Sequence, residues 1–114
     1  MQAMAAAAIA RAGPPDLVIA NAGVAGGFDA AAAEDLPVLR RMLEINLLGV
    51  AATFQPFLAA HGGGPLALVG IASIAGWRGM PGNAAYCASK GGLIRYLEAL
   101  RADCRGTPVT VHTA

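Results

Sequence analysis

Tyr86 and Lys90 stand four residues apart, a spacing that puts two side chains on one face of a helix. Lys90 is the only lysine in the chain. A phenol titrates near ~10, and a neighbouring positive charge favours its ionised form. The pair can therefore act as a general acid/base closer to neutral pH. The spacing alone is common on exposed helices, so the residues around it must carry the argument. Ser73 precedes Tyr86 by thirteen residues across a glycine-rich loop. Its hydroxyl could hydrogen-bond the same carbonyl or alcohol oxygen that Tyr86 protonates or deprotonates; a turn or capping serine is the plainer reading. Asn46 is an amide in an otherwise apolar helix stripe. Either a neighbouring backbone satisfies it or it orders a water that relays protons to Lys90. Asn21, Ala22 and Gly23 form a turn where a backbone can approach a cofactor closely, or where a strand simply ends.

The elements that must position these residues alternate helix and strand. Residues 1–12 are alanine-rich and stop at Gly13-Pro14-Pro15, which predicts a helix. Leu17-Val18-Ile19-Ala20 predicts a strand closed by the Asn21-Ala22-Gly23 turn. Asp35 is placed to cap a helix with Pro37 in its first turn, running to about Ala60. Leu39, Met42, Leu43, Asn46, Leu47 and Val50 fall on one stripe of it, and Pro56 should kink its last turns. Residues 66–71 form a continuous apolar run of the kind found in parallel sheets. A loop over 74–82 leads to a helix over 83–104, and Val109-Thr110-Val111-His112 is a third strand.

The order α-β-α-β-α-β predicts an α/β fold with a partial Rossmann-like parallel sheet of three strands, in a single domain over 1–114. Crossovers this long join parallel strands in right-handed units. Units that step one way across a sheet place their helices on one face. The other face has nothing in this sequence to cover it, and on that ground the chain is expected to be a fragment. Ser73 and the Asn21 turn then share the carboxyl edge, where ligands of open α/β sheets bind.

Composition narrows the classes. The chain is 114 residues long, 56% hydrophobic and 13% charged, which excludes a disordered chain and leaves a thin polar surface. Net charge is +1 with the arginines scattered, so nucleic acid is not an expected partner. Two cysteines, Cys87 and Cys104, make neither a disulfide scaffold nor a metal site. Reduced thiols fit a cytoplasmic protein. No apolar run approaches ~20 residues, so no membrane span is expected.

Together these segments resemble the short-chain dehydrogenase/reductase family. The matching text is A-N-A-G at 20–23, I-N-L-L-G at 45–49, G-I-A-S-I-A-G at 70–76, and P-G-N-A-A-Y-C-A-S-K at 81–90. The resemblance covers essentially the whole chain. It implies an oxidoreductase that moves a hydride between NAD or NADP and a small alcohol or carbonyl substrate. Tyr86 would be the acid/base, Ser73 the substrate-orienting hydroxyl, and Asn46 the holder of a relay water. Lys90 would lower the tyrosine pKa and bind the nicotinamide ribose, with Tyr86 beside it. Asn21, Ala22 and Gly23 would lie along the cofactor. It also implies a homo-oligomer built through helices 36–60 and 83–104.

The family's T-G-x-x-x-G-x-G is not matched. Gly76-x-x-Gly79-x-x-Gly82 is a loop without a following phosphate-ready pattern, and Gly62-Gly63-Gly64 leads into a strand rather than a helix, so neither is a dinucleotide fingerprint. A fragment of an oxidoreductase is thus the first reading. The alternative is a non-catalytic truncated protein that associates with full-length relatives through its long helices. A hydrolase using Ser73 with His61 or His112 lacks G-x-S-x-G.

Overall fold

Three short runs of branched and aliphatic residues become the sheet, and their burial shows how it is used. In the computed structural model, which describes residues 1–114, β1 (Leu17–Ala20), β2 (Leu66–Gly70) and β3 (Val109–Thr113) lie in that order, all parallel. Leu17 pairs with Ala67 and Ala20 with Gly70, while Leu66 pairs with Val109 and Gly70 with Thr113. Successive side chains on a strand point to opposite faces. Val18, Ala20, Leu66, Leu68, Val109 and Val111 are buried on one face. On β1 the alternate residues Leu17 and Ile19 are 51% and 54% exposed. The expected bare face is thus present, and the protein is thin, with extents of 48 × 28 × 17 Å.

The covered face carries the helices. α1 (Gln2–Ala12) precedes β1 and packs on a later helix, α3. Between β1 and β2 the expected single helix is composite. A 3-10 turn (Ala33–Asp35) leads into α2 (Leu36–Leu43), a π-helical segment (Glu44–Leu48) and α3 (Gly49–Ala60). Asp35 does not cap α2 with its side chain; its Oδ2 accepts the Asp29 N–H at 2.8 Å and tightens the preceding loop instead. The helix passes through Pro56 and continues to Ala60. Along this run Met42, Asn46, Val50 and Phe54 are the buried residues, while Leu39, Leu43 and Leu47 are half-buried.

The joined run Ala33–Ala60 is long and apolar enough to cross a membrane by length and composition, which corrects the sequence expectation that nothing here is. A core helix satisfies the same test, and the buried Met42-to-Phe54 stripe is a core-helix feature. α4 (Ala84–Asp103) follows β2 after a 3-10 turn (Ile74–Gly76). Phe54, Leu66, Leu68, Leu93 and Leu97 are the largest fully buried apolar side chains of the core. Each stabilises the fold by roughly 1.5–3 kcal/mol relative to exposure.

Candidate active site

The strands deliver their ends to one edge, and the helices cross there. Asn21, Ala22 and Gly23 follow β1 directly and are exposed. Ser73 follows β2 and is half-buried. Its extended backbone lets Oγ accept the Ala75 N–H at 3.2 Å, capping the 3-10 turn that comes next. That turn is pressed against α4. A Cβ on Gly76 would lie 2.7 Å from the Lys90 carbonyl oxygen and 2.6 Å from Ile94 Cδ1. Glycine at 76 is therefore what seats the Ser73 loop on the helix that carries Tyr86 and Lys90.

Tyr86 is half-buried in the first turn of α4, and Lys90 lies one turn further on. Lys90 is 5% exposed, and its Nζ donates to the Ile71 carbonyl at 2.7 Å. Burial pulls the ammonium below the usual lysine pKa. The bond ties α4 to the exit of β2, two residues before Ser73.

Asn46 is fully buried in the π segment. A π turn closes i→i+5 bonds, and such turns are frequent at functional sites; here the Gly49 N–H reaches the Glu44 carbonyl. The Asn46 amide is completely engaged on its donor side. Nδ2 donates to the Val24 carbonyl at 2.8 Å and to Ser89 Oγ at 2.9 Å. Oδ1 accepts the Val24 N–H at 2.8 Å. Of the two sequence readings, the satisfied amide accounts for these bonds, and one Oδ1 lone pair remains.

Asn46 and Lys90 meet at Gly23. A Cβ there would lie 3.3 Å from Asn46 Oδ1 and 3.6 Å from Lys90 Nζ. The structure thus gathers Gly23, Asn46 and Lys90, and places Ser73 and Tyr86 on the segments packed around them. Asn21 and Ala22 stand on the same turn at the sheet edge. Such a turn, with a buried ammonium beside a bare Cα, fits the nicotinamide-ribose end of a dinucleotide. No T-G-x-x-x-G-x-G turn is present to receive the pyrophosphate end.

Ser89 was missed by sequence reasoning. It is fully buried, accepts from Asn46 and donates to the Tyr86 carbonyl at 2.8 Å. Its only signal was its place between Tyr86 and Lys90 in a helix whose interior serines are usually bland. The hydrolase reading finds no geometry. His61 bonds with Gly63 and Gly64 before β2, at the opposite strand end from Ser73. His112 bonds with Thr110 on β3.

A protein from Myxococcus xanthus (strain DK1622) described as an uncharacterized oxidoreductase is 45% identical over 107 residues, covering 90% of this chain and 40% of that protein. A crystal structure of an actinorhodin polyketide ketoreductase variant with NADPH superposes with a TM-score of 0.88 at 35% identity, over 98% of this chain and 44% of that one. The fold is shared also with a 4-hydroxyisoleucine dehydrogenase solved with NADH and succinate, at TM-score 0.81 and 22% identity, over 88% of this chain and 48% of that one. The chain thus spans less than half the length of these proteins. The short chain dehydrogenase family matches residues 1–114 from end to end. With that match and this geometry, the chain belongs to the short chain dehydrogenase family.

Proposed function

We propose that this chain is the proton-transfer segment of a nicotinamide-dependent oxidoreductase acting on a small alcohol or carbonyl compound. The observation that carries the reading is the meeting of Asn46 Oδ1 and Lys90 Nζ at Gly23, one helical turn from Tyr86. A bound nicotinamide dinucleotide would supply the hydride acceptor or donor. Asn21, Ala22 and Gly23 would line it along the β1 exit, and Lys90 and Tyr86 would face its ribose.

In the reducing direction the Tyr86 phenol gives its proton to the substrate oxygen, and in the oxidising direction the phenolate takes it back. The Ser73 Oγ already accepts a backbone N–H, so its own proton is the part left to orient that oxygen. The remaining Oδ1 lone pair of Asn46 can hold a water beside Lys90 for proton return. The polyketide ketoreductase likeness favours a carbonyl substrate.

The test is turnover by the full protein that carries this chain. Tyr86→Phe should lower it by about 10²–10⁴-fold while the dissociation constant for NADH or NADPH, read by fluorescence titration, stays within twofold. Survival of turnover would remove Tyr86 from its role. Absence of any nicotinamide binding would remove the whole reading.

The partner supported by the surface is a second copy of the chain. Leu48 is 62% exposed, beside a groove of about 400 Å³ lined by Leu43, Leu47, Ala51, Gly92 and Tyr96. The groove lies between the composite helix and α4. Sedimentation of the Leu48→Glu variant should show a lower oligomeric state than the parent; equal sedimentation would count against this face.

A further inference from the structure

The hydrogen bond from Asn46 to Ser89 is the only buried bond between two side chains in the protein. Everything on either side of it belongs to the site. Asn46 grips the Val24 backbone through both its N–H and its carbonyl, which fixes which end of the amide faces the β1 exit. That grip uses one Nδ2 proton. The other would be an orphan donor in a fully buried place, and Ser89 Oγ receives it. A hydroxyl has one proton and two lone pairs. Ser89 gives its proton to the carbonyl of Tyr86, so only lone pairs face Asn46.

We propose that Ser89 is a positioning residue: it anchors the Asn46–Val24 clamp to the first turn of α4, and so sets the Gly23 turn against Tyr86 and Lys90. The direction of the relay is fixed at each link. Val24 sets the amide, the amide needs an acceptor, and the acceptor is oriented by the backbone of Tyr86 itself. Without the hydroxyl the clamp on Val24 persists but is no longer joined to α4 by a hydrogen bond. The β1 exit and the acid/base helix are then linked only indirectly, from Lys90 to the Ile71 carbonyl and from the Ile71 N–H to the Ala20 carbonyl. For its catalytic readout the inference rests on the oxidoreductase reading above; for its structural readout it does not.

The experiment is a cycle of Ser89→Ala, Asn46→Ala and the double variant, with Ser89→Thr as the conservative replacement. In the full protein, Ser89→Ala should lower kcat about tenfold with KM for the carbonyl substrate unchanged. In the Asn46→Ala background the same change should have no further effect. Ser89→Thr should restore most of kcat, and Ser89→Cys replaces it if threonine does not fold. Hydrogen exchange of the Val24 amide and of the Asn46 carboxamide should speed about tenfold in Ser89→Ala, with amides of β2 unchanged. Equal losses from Ser89→Ala in both backgrounds, or unchanged exchange at Val24 and Asn46, overturn the proposal. If the parent shows no turnover, the oxidoreductase reading fails while the exchange experiment still decides the role of Ser89.

Discussion

Lys90 reaches across from α4 to place its ammonium 2.7 Å from the carbonyl oxygen of Ile71. The bond joins the helix of the acid/base to the strand exit that leads to Ser73. It also holds a cation where water is largely excluded, and its lowered pKa is the signature of that cost.

Stability should therefore depend on pH through Lys90. Its folded pKa lies below the unfolded value of 10.5, so between the two the unfolded chain binds more protons and stability rises with pH. Cys104 and Tyr96 act oppositely. Burial raises both thiol and phenol, helped by Asp103 at Cys104 and by Cys104 at Tyr96, so their contributions fall as pH rises past the unfolded values. The Lys90 part is isolated by difference. Urea unfolding of the parent minus that of Lys90→Met should increase from pH 8 to pH 10.5, and a flat difference would show that the ammonium is not buried in solution.

Gly76→Ala should cost about 1–3 kcal/mol, because the new methyl meets the Lys90 carbonyl and Ile94. Gly79→Ala, with nothing within 4 Å of its Cβ position, should stay within about 0.5 kcal/mol. Denaturant midpoints of the two variants separate a tight seat from a generic loop effect. Equal costs would mean the 3-10 turn is not pressed on α4.

Asn46→Ala should be among the most destabilising single changes. It leaves the half-buried Val24 N–H and carbonyl without their side-chain partner, and each costs up to about 1–3 kcal/mol to the extent that water does not replace it. Asn46→Asp should be no better at neutral pH, since a carboxylate oxygen would then face the Val24 carbonyl. Thermal unfolding at pH 7 checks both, and an aspartate variant as stable as the parent would contradict the clamp.

The two faces of the sheet should respond differently. Leu68→Ala, at a fully buried site, should cost about 2–5 kcal/mol. Ile19→Thr, on the bare face, should change stability by less than about 1 kcal/mol and raise solubility. A large loss at Ile19 would mean that something covers that face in solution.

The strands, the parallel order, the one-sided helix layer and the sheet-edge positions of Ser73 and the Asn21 turn were legible because each follows from short-range pattern and chain length. The π segment was not, since nothing in Glu44–Leu48 breaks a helix. A faint signal existed in the spacing: Met42, Asn46, Val50 and Phe54 recur every four residues. At about 100° per residue, each step overshoots a full turn by about 40°, so the stripe drifts unless a wider turn absorbs the difference. The partners of Asn46, Ser89 and Lys90 were out of reach for another reason. They are backbone groups and a hydroxyl on other segments, up to 43 residues away, and no residue type marks them in advance.

The wide turn makes the number of residues in this helix matter as much as their identity. With one residue removed between positions 44 and 48, the ladder would close as an ordinary α-helix. Met42, Val50 and Phe54 would keep about the same face, since seven residues at about 100° each make nearly two full turns; the change would fall on the turn that carries Asn46. The extra residue is what places the Asn46 amide against Val24 and Ser89, and aligned relatives that keep those bonds should show no gap across Glu44–Leu48.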